Sequence, residues 1–339
     1  MPDIVDVDAE GRTILDPGLG MGIGREPMTP FDGTLAVQAA GVSFQNPIML
    51  AAGTAAYGRE VAEVTALEQL GGIVTKAVSL EPRSGAPAPR VGEFAGGMIN
   101  AVGLANPGVD AVRRDELPWL AASLRDARVF VNIVGFGVEE FAEVVARLDD
   151  APGVHGYELN VSCPNVKAGG MEFGASPDTL TAVVARARAA TGRPLFVKLS
   201  PALPDIAGAA RTAVDAGADG LTLVNTLPGL VIDVERRRPA IGFGSGGVSG
   251  PALLPAGVLA TWRVSRALPG VPIIGIGGVG RASDALQYLL AGASLVGMGT
   301  AMLRDPRAPE RVVRDLARWC SHHHVRRIEE IIGTLDWPR

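Results

Sequence analysis

Residues 272–301 read PIIGIGGVGRASDALQYLLAGASLVGMGTA. The stretch opens on a β-rich run, Pro272–Ile276, and turns through Gly275-Ile-Gly-Gly-Val. An amphipathic run over Ser283–Ala291 follows, leading through Ala291-Gly-Ala-Ser into a second β-rich run, Ser294–Met298. Glycine just past the last periodic residue suits the left-handed residue that ends a helix. Short β-rich runs alternating with longer amphipathic ones are the pattern of βα units. The same pattern extends back through the chain. Strands are predicted at Ile48–Ala52, Gly72–Lys76, Val129–Val134, Gly156–Val161, Pro194–Leu199 and Gly220–Val224, besides the two just quoted. Helices are predicted at Glu139–Leu148, Pro177–Ala190, Asp205–Ala216, Ala252–Leu268 and Ser283–Ala291, and Ala216-Gly-Ala-Asp-Gly repeats the glycine exit. Eight strands mostly spaced by helices predict an α/β fold of the (β/α)8 type rather than an open sheet. Segments 77–128 and 225–250 are too long for ordinary βα loops and are predicted to be functional insertions on the C-terminal face.

This barrel domain is expected over residues 35–339. Residues 1–34 are polar and rich in Gly and Pro, and read as an N-terminal extension. Within them Gly18-Leu-Gly-Met-Gly-Ile-Gly looks superficially like a nucleotide loop, but no predicted strand precedes it and no helix follows. The 339 residues are 47% hydrophobic, which gives ample chain for one large core. A net charge of −5, with no basic run interleaved by aromatics, argues against a nucleic-acid surface. No apolar run is long enough to span a membrane, and the N-terminus has no basic start followed by an apolar block. Two cysteines, Cys163 and Cys320, cannot form a disulfide scaffold or a four-thiolate iron–sulfur site. A cytoplasmic enzyme with neither nucleic-acid nor membrane partners is expected.

Of 31 basic residues only Lys76, Lys167 and Lys198 are lysines. Lysine kept against such an arginine bias suggests sites that need a compact ammonium rather than a planar fork. Asparagine is equally scarce: Asn46, Asn100, Asn106, Asn132, Asn160, Asn165 and Asn225. On the predicted strands, all three lysines and every asparagine except Asn46 fall at C-terminal strand ends or in the loops beyond, where barrel enzymes keep their chemistry. Chance survival of a few residues would not cluster them so. The glycines after the last two predicted strands, Gly275-Ile-Gly-Gly-Val and Gly297-Met-Gly-Thr-Ala, let backbone N–H groups approach an anion, and a following helix N-terminus favours it. Such loops are the usual phosphate site of these barrels. Lysines in the same cavity suit a flavin mononucleotide, FMN, with Lys198 placed to stabilise the anionic reduced ring.

The stretch from Glu158 reads ELNVSCPNVK. A lone cysteine is most often an inert buried hydrophobe. Cys163, however, is set among Ser162, Asn160 and Asn165 in a Pro-containing loop, and its thiolate can serve as a base. Paired amides suit a small ring bearing alternating C=O and N–H groups, which describes a pyrimidine.

These residues resemble the class 1 dihydroorotate dehydrogenases, flavin enzymes of pyrimidine biosynthesis with a TIM-barrel fold. The resemblance covers about residues 35–335 and rests on Asn100-Ala-Val-Gly-Leu-Ala-Asn-Pro-Gly, Asn160-Val-Ser-Cys-Pro-Asn-Val and Val197-Lys-Leu-Ser-Pro. Asn225-Thr226, Gly246-Gly-Val-Ser-Gly, Gly277-Gly278 and Gly299-Thr300 complete it. It implies that Cys163 removes the C5 proton of (S)-dihydroorotate while hydride passes from C6 to FMN N5, giving orotate on the route to UMP. It implies that Lys76, Asn100, Ala101, Val102, Gly103, Leu104, Asn160, Asn165, Asn225 and Thr226 hold the substrate. For FMN it implies Ala52, Lys76, Ala77, Asn132, Asn160, Lys198, Val224, Gly250, Gly277, Gly278, Gly299 and Thr300. No metal site is expected. The loop Lys167-Ala-Gly-Gly-Met-Glu-Phe-Gly and the run Glu81-Pro-Arg-Ser-Gly-Ala-Pro-Ala-Pro-Arg look most like the NAD-linked 1B catalytic subunit. That subunit passes electrons to NAD through a partner chain carrying FAD and a [2Fe-2S] cluster. The implied assembly is a homodimer, or a heterotetramer with the electron-transfer subunit.

Two other readings compete. A dihydropyrimidine dehydrogenase barrel also uses Cys and FMN, but differs in the Asn100–Gly108 motif. A Schiff-base lyase on a phosphosugar would use Lys198 or Lys76 but leave Cys163 and the asparagines idle. His322, His323 and His324 point in different directions on a helix and read as a solvated patch, and Cys320 beside Trp319 reads as packing.

Overall fold

The computed structural model of the chain describes residues 33–162, 164–165 and 171–338. Eight parallel strands close into a barrel: β1 (Ile48–Leu50), β2 (Gly72–Val74), β3 (Arg128–Ile133), β4 (Gly156–Asn160), β5 (Leu195–Leu199), β6 (Gly220–Leu223), β7 (Ile273–Ile276) and β8 (Leu295–Met298). Each strand pairs with its neighbours in sequence, and Gly297 of β8 lies beside Met49 of β1 to close the ring. Every predicted strand is a barrel strand. Around them run α1 (Leu117–Ser123), α2 (Val138–Leu148), α3 (Pro177–Ala189), α4 (Ile206–Asp215), α5 (Leu254–Ala267), α6 (Ala282–Ala291) and α7 (Ala308–His322). Between β1 and β2 the chain makes only two short 3-10 turns, Arg59–Val61 and Leu67–Gln69.

The helix ends follow local chemistry. Ser176 caps α3, its side chain accepting from Thr179 N, with Pro177 in the first turn. Asp205, predicted inside a helix, is instead the cap of α4 and accepts from Gly208 N at 2.9 Å. Helix α6 ends at Gly292, whose φ of 111° is the left-handed conformation its glycine exit predicts.

The lower barrel is filled by Met49, Phe130, Phe196, Ile274 and Leu295. Phe130 and Phe196 meet edge to face at 5.4 Å. Gly156 and Gly220 make room for them, since a Cβ at either would fall 2.6 Å or less from one of these rings. An antiparallel hairpin, Val37–Ala39 with Val42–Phe44, closes the N-terminal end, with Phe44 packed 6.1 Å from Phe130.

At the opposite end the two long insertions pair with each other. Strands 227–229, 246–249, 97–100 and 91–94 form a four-stranded antiparallel sheet in that order, with Gly247 opposite Asn100. Its backbones run close together: a Cβ on Gly97 would lie 2.0 Å from Ser249 O. Because the insertions leave the C-terminal ends of β2 and β6, this sheet stands on the face that carries the predicted site. Among the described residues no helix is long and apolar enough to cross a membrane. Residues 1–32, Cys163 and Lys167 lie outside the described residues.

Candidate active site

Two residues along the strand from the aromatic floor, on the same inward face, the barrel lining turns polar. Phe130 gives way to Asn132, Phe196 to Lys198, and Gly220 to Thr222; Glu158 projects from β4 between them. Asn132 Nδ2 donates to Glu158 Oε1 at 2.6 Å, and Lys198 Nζ lies 3.7 Å from the same oxygen. Glu158 is 1% exposed and Lys198 5%, so the ion pair is out of water. Such a pair is expensive to bury unless its geometry and further bonds repay the desolvation. Asn132 Oδ1 and Thr222 Oγ1 are buried without a partner among the described residues. A layer of charge and unsatisfied acceptors directly above a dry aromatic floor suits ligand binding better than stability. Asn132 and Lys198 were expected here. Glu158 had no assigned role, although a carboxylate between Tyr157 and Leu159 in a barrel strand is itself a signal.

One rim of the cavity gathers amides. Asn225 Nδ2 donates to Asn160 Oδ1 at 3.3 Å, and Asn225 Oδ1 accepts from Thr226 N at 2.8 Å. Thr226 seats against Gly247, where a Cβ would fall 2.0 Å from its Oγ1. Asn100 Nδ2 donates to Gly247 O at 3.3 Å. Residues from the end of β4 and from both insertions are thus brought together. Ser162 Oγ donates to the Lys198 carbonyl at 3.0 Å, fixing the chain on the N-terminal side of Cys163 to the end of β5. On its other side Asn165 pairs with Met171 in a two-residue ladder. Glu172, in the same ladder, accepts from Ser200 Oγ at 3.3 Å; burial holds its carboxyl above the usual range, with the Ser200 bond opposing.

Asn106 belongs to the scaffold. Its Oδ1 accepts from Ser79 N and Gly108 N, and its Nδ2 donates to Ser79 Oγ and Leu104 O. All four hydrogen-bonding positions of the amide are taken, and none is left for a ligand. This staple holds Ala101–Leu104, where Leu104 sits at φ 56°. Asn46, excluded from the cluster by position, is likewise structural, bonding Gln69 O, Ile48 N and Gly71 N. Lys76 stands half-buried just beyond β2, its N–H bonded to Ala56 O. Ala77 and Val224 are buried beyond β2 and β6, and Ala52 is half-buried beyond β1.

The ends of β7 and β8 carry glycine instead. Gly277 and Gly278 follow β7 with φ values of 124° and 75°. Gly299 and Thr300 follow β8, and Thr300 Oγ1 donates to Ser249 Oγ at 2.8 Å, beside Gly250. No described residue accepts from the N–H groups of Gly278, Gly299 or Thr300. The first amides before α6 are occupied: Asp284 Oδ2 accepts from Gly280 N and Arg281 N. The open donors are therefore a turn amide after β7 and, after β8, the amides of Gly299 and Thr300, which cap and begin the short helix Thr300–Arg304, so the helix N-terminus anticipated from sequence is present after β8.

A sequence profile of the family described as Dihydroorotate dehydrogenase matches residues 34–319. The chain belongs to the dihydroorotate dehydrogenase family. It is 46% identical over 302 residues to a Pelobacter propionicus protein named dihydroorotate dehydrogenase B (NAD(+)), catalytic subunit, covering 89% of this chain and 98% of that one. A Desulforudis audaxviator protein of the same name is 48% identical over 298 residues, covering 88% and 96%. The barrel also superposes on a crystal structure of the Eimeria tenella dihydroorotate dehydrogenase with ferulenol. The TM-score is 0.77 at 24% identity, covering 91% of this chain and 90% of the other, a likeness of fold. The family and barrel expected from the motifs are both borne out. Enzymes of the dihydroorotate dehydrogenase family are flavoprotein oxidoreductases that oxidise dihydroorotate in pyrimidine biosynthesis, and that is this chain's activity. Among the described residues no cluster of His, Cys, Asp and Glu could hold a metal. His322, His323 and His324 are exposed, and Cys320 is buried.

Proposed function

We propose that the chain binds FMN and (S)-dihydroorotate at the C-terminal face of the barrel, and that Cys163 is the base. The observation supporting this most strongly is the division of the cavity wall. The ends of β4 and β6 and the inserted sheet offer amides from Asn160, Asn225 and Asn100, the ends of β7 and β8 offer open backbone donors, and the Lys198–Glu158 pair is buried in the barrel lining on β4 and β5. The donor set fits FMN. Asn132 Oδ1 is a buried acceptor that a flavin N–H would satisfy, and the amides of Gly278, Gly299 and Thr300 suit a phosphate. A Cβ on Gly299 would meet nothing closer than Thr54 Oγ1 at 3.5 Å, so the protein leaves that side open for a ligand. When bound, FMN supplies the two-electron acceptor, a chemistry that no side chain provides.

The chain's own residues position and deprotonate. Lys76, Asn100 to Leu104, Asn160, Asn165, Asn225 and Thr226 hold the pyrimidine ring by its carbonyl, N–H and carboxylate groups. Cys163 takes the C5 proton as thiolate, and a thiol with an ordinary value of about 8.5 is readily lowered beside a cation. Lys198 holds positive charge at the cofactor side, with Glu158 setting its place. Ala52, Lys76, Ala77, Asn132, Asn160, Val224, Gly250, Gly277, Gly278, Gly299 and Thr300 complete the cofactor contacts.

The relatives' name, catalytic subunit of an NAD(+) enzyme, supports a second chain that carries electrons on to NAD through FAD and a [2Fe-2S] cluster. A cytoplasmic homodimer, or a heterotetramer with that chain, is the assembly we propose, with residues 1–34 an extension to the barrel domain. Stopped-flow reduction of bound flavin by dihydroorotate at neutral pH tests the base. Cys163→Ala should keep flavin but slow its reduction at least about 100-fold, the lower end of what a positioned base contributes. Reduction at the wild-type rate would remove Cys163 from that role.

A further inference from the structure

Tyr288 on α6 is 0% exposed and belongs to none of the motifs above. Its hydroxyl donates to the Gly277 carbonyl at 2.8 Å. The ring fills space left by two glycines. A Cβ on Gly275 would fall 2.3 Å from Tyr288 Cδ1, and one on Gly257 of α5 would fall 2.0 Å from the hydroxyl oxygen. The Gly277–Gly278 peptide is trans, so its C=O and N–H point in opposite directions. A hydroxyl that fixes the carbonyl from the barrel wall therefore turns the Gly278 N–H the other way, to the side where no described residue accepts it. Glycine at φ values of 124° and 75° does not hold such a peptide by itself, because its backbone wells are nearly equal in energy.

We propose that Tyr288 is a positioning residue for the cofactor's phosphate: its hydroxyl fixes the plane of the Gly277–Gly278 peptide and so aims the Gly278 N–H at the anion. The inference rests on the reading that this chain binds FMN with its phosphate at Gly277 and Gly278. Burial, with Asp284 adding to it, pushes the phenol well above its ordinary value, so Tyr288 remains a donor throughout the working pH range. Gly257 and Gly275 are then understood as spaces kept for this ring rather than as helix and strand weaknesses.

The test compares two ligands that differ only in the phosphate. Flavin-free chain is titrated with FMN and with riboflavin by fluorescence, as wild type and as Tyr288→Phe, which keeps the ring and removes the hydroxyl. Losing one oriented donor should weaken FMN binding about tenfold while riboflavin binding stays within about twofold. FMN and riboflavin weakening together would make Tyr288 a packing residue and overturn the proposal, as would no change in either. Tyr288→Phe combined with Gly257→Ala, whose methyl fills the space the hydroxyl leaves, should show the same selective loss and serves if the phenylalanine variant alone fails to fold. A wild-type chain that binds both flavins equally would overturn the phosphate assignment itself, before any variant is compared.

Discussion

Asn106→Ala should be among the most damaging single substitutions that touch no ligand. The side chain is 7% exposed and makes four hydrogen bonds, of 3.3, 2.9, 2.8 and 2.8 Å, to Ser79, Gly108 and Leu104. Alanine deletes all four. At about 1 kcal/mol net for each bond the loss is about 4 kcal/mol, and water entering beside exposed Pro107 would lower it to about 2 kcal/mol. Release of Leu104 from φ 56° returns roughly 1 kcal/mol at most. The expected outcome is destabilisation by about 1–4 kcal/mol in urea unfolding. Ala101–Leu104 loses its anchor at the same time, so KM for dihydroorotate should rise more than kcat falls. Asn106→Asp keeps the acceptor that binds Ser79 N and Gly108 N but loses both donors, and should fall between wild type and alanine. A loss under about 0.5 kcal/mol, the range of an ordinary surface change, with KM unaltered, would refute the staple.

Three further outcomes follow from the geometry. Lys198→Met leaves the Glu158 carboxylate buried without its cation and should cost about 3–5 kcal/mol in urea unfolding of the flavin-free chain; Glu158→Gln in the same chain should recover much of it, and additive losses would deny the coupling. Gly299→Ala has room in the protein, so flavin-free stability should stay within about 0.5 kcal/mol while FMN affinity falls; unchanged affinity would place the phosphate elsewhere. An acid raised by burial, as Glu172 is, binds more protons folded than unfolded, so its destabilisation sets in as pH rises through the ordinary carboxylate value and is complete above the raised one. Glu172→Gln should therefore melt higher relative to wild type at neutral pH and match it below the carboxylate range, and an equal difference at both would remove the titration from the cause.

The barrel was legible in the sequence because each strand is a short β-rich run between turn residues and two helix exits carry a left-handed glycine, Gly217 and Gly292, signals confined to about ten residues. The antiparallel sheet over the site was not, because Gly97–Asn100 and Gly246–Ser249 pair across about 150 residues with little side-chain pattern to register them. Scarcity of lysine and asparagine led to Lys198, Asn132, Asn160 and Asn225, yet it could not separate Asn106, whose side chain is fully used by its own loop. Glu158 and Tyr288 escaped for the opposite reason. Glutamate is common here, and a tyrosine in a helix reads as core until its hydroxyl is seen on Gly277 O.

A flavin held by this polar layer and reduced by dihydroorotate has a direct optical signature. The measurement to make is an anaerobic absorbance spectrum of the purified chain, reconstituted with FMN, before and after adding dihydroorotate to one sample and dihydrouracil to another. Dihydroorotate, and not dihydrouracil, should bleach the flavin band, with NAD failing to restore it until the electron-transfer subunit is added. A chain that takes up no FMN, or whose flavin band responds only to dihydrouracil, would contradict this.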